Sequence, residues 1–226
     1  MLIGILQTGH VHEDLVGEYG NYPAMFEKLL DGYGFDFATW RVVDMEFPTG
    51  VHEADGWLIT GSKHGAYEDH PFIKPLEDFI RTAYAEKVPM VGICFGHQII
   101  AQALGGRVEK YPEGWAVGAT EYDFEGKPVR MNAWHQDQVV KVPEAAKVVG
   151  TNSFCKNAAL LYGDSIYTVQ AHPEIRDDYM EGLMRVRGPG IVPDAVLQGS
   201  RAQLGTPLQD KDVADQIAAF FKQPRG

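Results

Sequence analysis

The chain has 226 residues, 45% hydrophobic and 23% charged, which fits a globular α/β protein with ample material for a core. Its formal net charge of −11, with no basic patch, leaves nucleic-acid binding without electrostatic support. No stretch is apolar for long enough to span a membrane, no leader-like segment opens the chain, and Cys94 and Cys155 are too few for a disulfide framework, so a cytoplasmic setting is expected.

Residues 2–6 read as a first buried strand. Residues 7–20 are polar, with scattered glycine and histidine, and are expected as a loop over one end of the sheet. With no cysteine or carboxylate at recognisable ligand spacing, His10 and His12 are not read as metal ligands. Residues 23–33 form a helix in this reading: Pro23 suits its first turn, Met25, Phe26, Leu29 and Leu30 share a face, and Gly34 stops it. Residues 35–43 are the second strand and 57–60 the third. The third runs into Gly61-Ser-Lys-His-Gly-Ala-Tyr. A glycine directly after a buried strand of an α/β sheet sits at the carboxyl edge, where ligands bind. The N–H of Gly61 is thus a candidate oxyanion donor; the other reading is a plain strand-to-helix turn. Residues 72–84 are a helix, with Phe72, Leu76, Phe79 and Ile80 on one side.

The most informative stretch is 89–106. Residues 90–93 make a short, mostly apolar run, as buried parallel strands do. Residues 95–104 place apolar side chains three and four apart, as an amphipathic helix does, and Gly105 and Gly106 end it. Cys94 therefore sits where a strand turns sharply into a helix, with Gly92 and Gly96 allowing close backbone approach. The unpaired N–H groups and positive end of the new helix point at Cys94, favouring a thiolate and, later, an oxyanion. A cysteine here can also be only a small buried hydrophobe.

This order, strand–helix–strand–strand–helix–strand–helix, leaves crossovers long enough for parallel pairing and predicts a doubly wound, three-layer sheet. Residues 108–131 alternate, with Glu125-Gly126 as a turn, and predict antiparallel strands on or beside that sheet. Residues 145–150, 157–161 and 165–170 are three further strands; 177–185 and 213–221 are helices. Between these helices, 188–209 is expected to be irregular, with Pro189, Pro193 and Pro207. No internal repeat or interdomain linker is evident, so residues 1–226 are read as one domain.

The second chemical stretch is Gln170-Ala-His-Pro-Glu, directly after a predicted strand. His172 and Glu174 are two apart, so in extended backbone both project to one side. Pro173 suits the exposed end of a strand. A histidine backed by a carboxylate is what a cysteine nucleophile needs: the imidazole moves the proton and the carboxylate fixes its tautomer.

With Gly92-Ile-Cys-Phe-Gly-His-Gln, the Gly61 loop, Trp134-His-Gln-Asp and His172-Pro-Glu, the chain resembles the class I glutamine amidotransferases, strongly over about 57–174. The texture of Cys-Phe-Gly-His-Gln and Trp-His-Gln-Asp is also similar to the stand-alone γ-glutamyl peptidase branch of that superfamily. The resemblance implies a flavodoxin-like, three-layer α/β fold with a mostly parallel central sheet and added antiparallel strands. It implies Cys94 as nucleophile, His172 as general base and acid, and Glu174 as orienter. Gly61 and Phe95 would supply the oxyanion-hole N–H groups. Gln98 and the run Trp134, His135, Gln136, Asp137 would hold the amino-acid end of a γ-glutamyl substrate. The glycine loop departs from the family's frequent Gly-Gly-Pro, being Thr60-Gly61-Ser62 here.

The implied activity is hydrolysis of a γ-glutamyl amide through a γ-glutamyl thioester, with ammonia or an amine leaving and no metal or organic cofactor. The substrate is glutamine or a glutathione-like γ-glutamyl peptide. The chain is expected to act on its own, since the residues after Glu174 are too few for a fused acceptor domain; an ammonia-accepting synthase acting in trans is the alternative. A catalytically idle binding module of the same fold is the rival of a different class. His97 is expected to face solvent and Cys155 to be structural, and the run 134–137 is read as opening a loop over the pocket in preference to supplying His135 and Asp137 as an alternative dyad for Cys94.

Overall fold

The computed structural model describes residues 1–225. Seven strands form the central sheet: β1 (Leu2–Leu6), β2 (Asp36–Trp40), β3 (Gly56–Ile59), β4 (Met90–Ile93), β9 (Lys147–Gly150), β10 (Ala159–Tyr162) and β11 (Ile166–Val169). Their order is β2-β1-β3-β4-β11-β10-β9. The pairs from β2 through β11 are parallel, and those of β10 with β11 and β9 are antiparallel. The sheet is therefore mostly parallel, with an antiparallel edge.

Helices cover both faces, so the inner strands are apolar on both sides. Trp57 and Ile59 of β3 enter the core shared with α3 (Ile73–Ala85) and α4 (Phe95–Ala103), while Leu58 enters the opposite core with α2 (Tyr22–Leu29) and α7 (Asp210–Lys222). This alternation is the period-two pattern of a strand. Two small antiparallel pairs stand beside the main sheet. One joins β5 (Arg107–Lys110) to β8 (Asp137–Lys141), and the other joins β6 (Ala116–Phe124) to β7 (Lys127–His135). Tyr122, Phe124, Val129 and Met131 of the β6–β7 hairpin complete the second core.

Several segments differ from the sequence reading, among them the helix read over 23–33, which ends at Leu29. The expected loop over 7–20 contains α1 (Glu13–Tyr19), capped by the His12 ring, which accepts from the Asp14 N–H. The helix escapes a periodicity reading because it buries one side chain, Leu15. The segment expected to be irregular holds α6 (Asp194–Arg201), which Pro193 starts rather than breaks. The second strand is shorter than expected: a 3-10 turn, Val42–Asp44, takes over and ends at Met45 with φ 65°. The last helix of the site region is α5 (Asp177–Val186).

Candidate active site

Cys94 occupies the single residue between β4 and α4, with φ 51° and ψ −102°. A side chain other than glycine at positive φ costs about 1–3 kcal/mol and persists only where the surroundings impose it. Here they do. The Cys94 N–H donates to Val169 O at 2.9 Å, and Cys94 O accepts from Gln98 N at 3.1 Å. Behind the turn, α4 starts close against β3 and β4. A Cβ on Gly96 would stand 2.3 Å from Ile59 O, and one on Gly92 2.6 Å from the Gly96 backbone. The two glycines are what permit the sharp reversal.

β11 pairs with β4, Val169 opposite Ile93, so the segment after β11 emerges beside the elbow. The His172 N–H donates to Asn132 O at 2.8 Å, tying this segment to β7. His172 Nδ1 lies 2.7 Å from Glu174 Oε1, and both side chains are buried. With Nδ1 so engaged, Nε2 is the nitrogen left to face the thiol. Burial alone would lower the His172 pKa, but Glu174 beside it, and the charge and hydrogen bond of Cys94, hold it well above the ordinary histidine value. The Gly61 position closes the group: a Cβ there would lie 3.0 Å from His172 Cε1 and 3.9 Å from Cys94 Cβ.

A hydroxyl network fixes the Gly61 loop. The Thr8 hydroxyl hydrogen-bonds with Thr60 O at 2.9 Å and Gly61 O at 3.0 Å, and Ser62 Oγ donates to Thr8 O at 2.7 Å. Across a planar trans peptide the N–H points opposite to the carbonyl. The Gly61 N–H is therefore directed away from Thr8. Among the described residues neither the Gly61 nor the Phe95 amide has an acceptor within the protein. Phe95 opens α4, where helical N–H groups lack intrahelical partners.

A cavity of about 270 Å³ opens over Cys94. Gln98, Trp134, His135, Gln136 and Asp137 all line it, as their motifs suggest. The last four are not a covering loop: Trp134 and His135 end β7, Asp137 begins β8, and Gln136 is the link. The Gln98 amide nitrogen is committed to Asp137 O at 2.9 Å and Gln170 Oε1 at 3.1 Å, so of its side-chain groups only the carbonyl is left for a ligand. The alternative dyad is not formed: His135 Nδ1 meets the backbone oxygen of Asp137 at 3.2 Å, and the Asp137 carboxylate accepts from Tyr67 OH. Burial, then the positive charge of His172, pushes His135 down to about 3.

His97 corrects the sequence reading. It is fully buried, not solvent-facing, with Nδ1 2.8 Å from Thr168 Oγ1, and burial lowers its pKa to about 3. The cause is the position of α4, whose first seven residues are all buried, leaving it no wet face there. Cys155 is buried as well, and its pKa rises to about 12 through desolvation. His10 is paired with Asp44 and His12 caps α1, so neither joins a cluster.

Sequence reasoning overlooked several wall residues: Lys63, Tyr67, Lys110, Trp115, Arg187 and Ile191. The first two lie in the Gly61 segment and were findable there. Arg187 and Ile191 come from the far side of α5 and carry no local signal. Asn132 was also overlooked. Its backbone oxygen accepts from the His172 N–H, while its side-chain amide nitrogen donates to Ile175 O at 3.0 Å. Three further donors, from His64, Glu68 and His70, gather on the segment between β3 and α3.

Comparison with known proteins gives the chain its family and its fold relatives. The chain is 31% identical to gamma-glutamyl peptidase 4 of Arabidopsis thaliana, covering 91% of this chain and 90% of that one. It is 29% identical to one subunit of the glutamine-hydrolyzing GMP synthase of Methanopyrus kandleri, over 72% of this chain and 88% of the relative. A solved glutamine amido transferase from Methylobacillus flagellatus shares the fold, with TM-score 0.74 at 20% identity, covering 100% of this chain and 96% of that one. The family model for glutamine amidotransferase class-I matches residues 38–182, a span that runs through β3, the Cys94 elbow and His172–Glu174. The chain is thus a member of the class I glutamine amidotransferase family.

Proposed function

We propose that this protein is a cysteine-dependent hydrolase of γ-glutamyl amides. The observation that carries the reading is Cys94 held at φ 51° between strand and helix, with the buried His172–Glu174 pair, 2.7 Å apart, against it. In this mechanism the Cys94 thiolate attacks the γ-carbonyl carbon. The amide N–H groups of Gly61 and Phe95 stabilise the resulting oxyanion. The His172 imidazolium gives its proton to the departing nitrogen, the C–N bond breaks, and a γ-glutamyl thioester remains. Water then attacks the thioester, His172 takes its proton, and glutamate leaves. Glu174 keeps the imidazole oriented throughout. Lys63, Lys110 and Arg187 stand on the cavity wall beside Glu68 and Asp137, so both signs of charge are present for the carboxylate and ammonium groups of an amino-acid substrate.

A second reading is supported by the similarity to part of a GMP synthase: the chain would release ammonia for a synthase partner. Steady-state assays of the purified chain on glutamine, glutathione and γ-glutamyl dipeptides separate the two. A stand-alone peptidase turns over at least one γ-glutamyl peptide at an ordinary enzyme rate of roughly 1–1000 per second. A partner-dependent chain shows trace activity until a synthase is added. No hydrolysis of any γ-glutamyl amide under either condition rejects the proposal.

A further inference from the structure

His64, Glu68 and His70 take no part in the mechanism above, yet they converge. Their donor atoms all lie within 4.8 Å of one another. His70 Nε2 is 2.9 Å and His64 Nδ1 3.8 Å from the same oxygen, Glu68 Oε2, and the two imidazole rings stand 4.0 Å apart. One carboxylate oxygen thus faces a nitrogen of each ring.

The arrangement is supported from below and along the backbone. The His70 ring stacks on buried Phe72 at 6.0 Å and 18°, and the His64 ring packs on the same phenyl at 5.9 Å. The Glu68 N–H donates to Gly65 O and the His70 N–H to Glu68 O, each at 3.1 Å, and the His64 N–H to Ser62 Oγ at 3.2 Å. His64 and Glu68 also line the cavity over Cys94, and Phe72 packs against Phe95, the residue after the nucleophile.

We propose that His64, Glu68 and His70 form a binding site for a divalent cation of the zinc class at the mouth of the Cys94 cavity. Two imidazole nitrogens with one carboxylate oxygen suit zinc and its first-row neighbours, whereas magnesium and calcium prefer oxygen-only sets. Three protein donors leave at least one coordination position for water or an anionic group of a ligand. The site stands independently of the reaction proposed at Cys94. The competing account is a surface ion pair between His70 and Glu68 that holds no metal.

The test is zinc titration by calorimetry, with cobalt absorbance as a second readout, on the chelator-treated full chain. The Cys94→Ser background removes the thiol as a competing ligand. The proposal predicts one zinc per chain, a melting temperature raised by zinc, and no comparable response to magnesium. Glu68→Gln and His70→Ala, checked for folding by circular dichroism, should each weaken binding by at least about tenfold, the scale on which loss even of supporting metal contacts is felt. His64→Gln serves as the third variant should His70→Ala fail to fold. Absence of binding at sub-millimolar zinc overturns the proposal. So does binding that survives the Glu68 and histidine substitutions, and binding that appears only when Cys94 is present, which would move the metal to the thiol.

Discussion

At the scale of single residues, the site depends on contacts that leave little slack. Gly61→Ala places a Cβ 3.0 Å from His172 Cε1, so the imidazole must shift by a few tenths of an ångström. The expected result is a fall in kcat of up to about 100-fold, since small misplacements of reacting groups cost on that scale, with little change in melting temperature. Kinetics and a thermal scan on one preparation check both. Glu174→Gln removes the nearest charge that holds the His172 pKa up. The imidazolium then loses its proton at lower pH, so the alkaline limb of the kcat/KM profile should move to lower pH while kcat falls. An unmoved limb would mean that another group sets it. Cys94, His172 and Glu174 were legible because each sits in a short motif at the end of a predicted strand. His97 was not, because whether a helix face is wet depends on what packs against it, here β11 through Thr168.

At the scale of elements, the elbow is a joint between β3, β4 and α4, and Gly96 is where they touch. Gly96→Ala would drive a Cβ to 2.3 Å from Ile59 O, backbone against backbone. Overpacking of this kind costs about 1–3 kcal/mol, or a melting temperature lower by roughly 2–12 °C for a chain of this size, and a thermal scan reads it directly. An unchanged melting temperature would mean that α4 moves without cost. The parallel strands β1, β3, β4 and β11 were legible as short, mostly apolar runs, and α3, α4, α5 and α7 as helical periodicities. The helices α1 and α6 were not: each buries only one or two side chains, Leu15 in one and Leu197 with Ser200 in the other, too few for a pattern. The assignment of strands to the small β5–β8 and β6–β7 pairs is set by tertiary packing, which alternation along one strand does not encode.

At the scale of the whole molecule, buried histidines set the pH range of the fold. His97 and His135 stay neutral down to about 3, whereas in an unfolded chain they take up protons near 6.5. Their contribution is therefore complete above about pH 6.5 and is lost as pH falls, with a slope of roughly 1.4 kcal/mol per pH unit for each unmatched proton. His172 has the opposite sign: its pKa is raised, so its pairing stabilises fully below about 6.5 and is lost as pH rises through the higher folded value. Stability should peak between these two limbs, and urea unfolding across pH should show both. His97→Gln should flatten the acid limb alone; an equal slope in that variant would remove His97 from the account. The membership of the chain in its family, the mostly parallel sheet and the strand-end placement of the motifs were legible from sequence. The part of the cavity wall given by Arg187 and Ile191 was not, because these residues follow α5 and reach the cavity only through its packing against α1. The most direct test of the covalent role given to Cys94 compares steady-state hydrolysis of the best γ-glutamyl substrate by wild type, Cys94→Ser and Cys155→Ser. Cys94→Ser should stay folded and lose roughly four or more orders of magnitude in kcat, as removal of a triad nucleophile does, while Cys155→Ser keeps most activity. Turnover that survives loss of Cys94, or that is abolished by loss of Cys155 in a folded protein, would contradict the account.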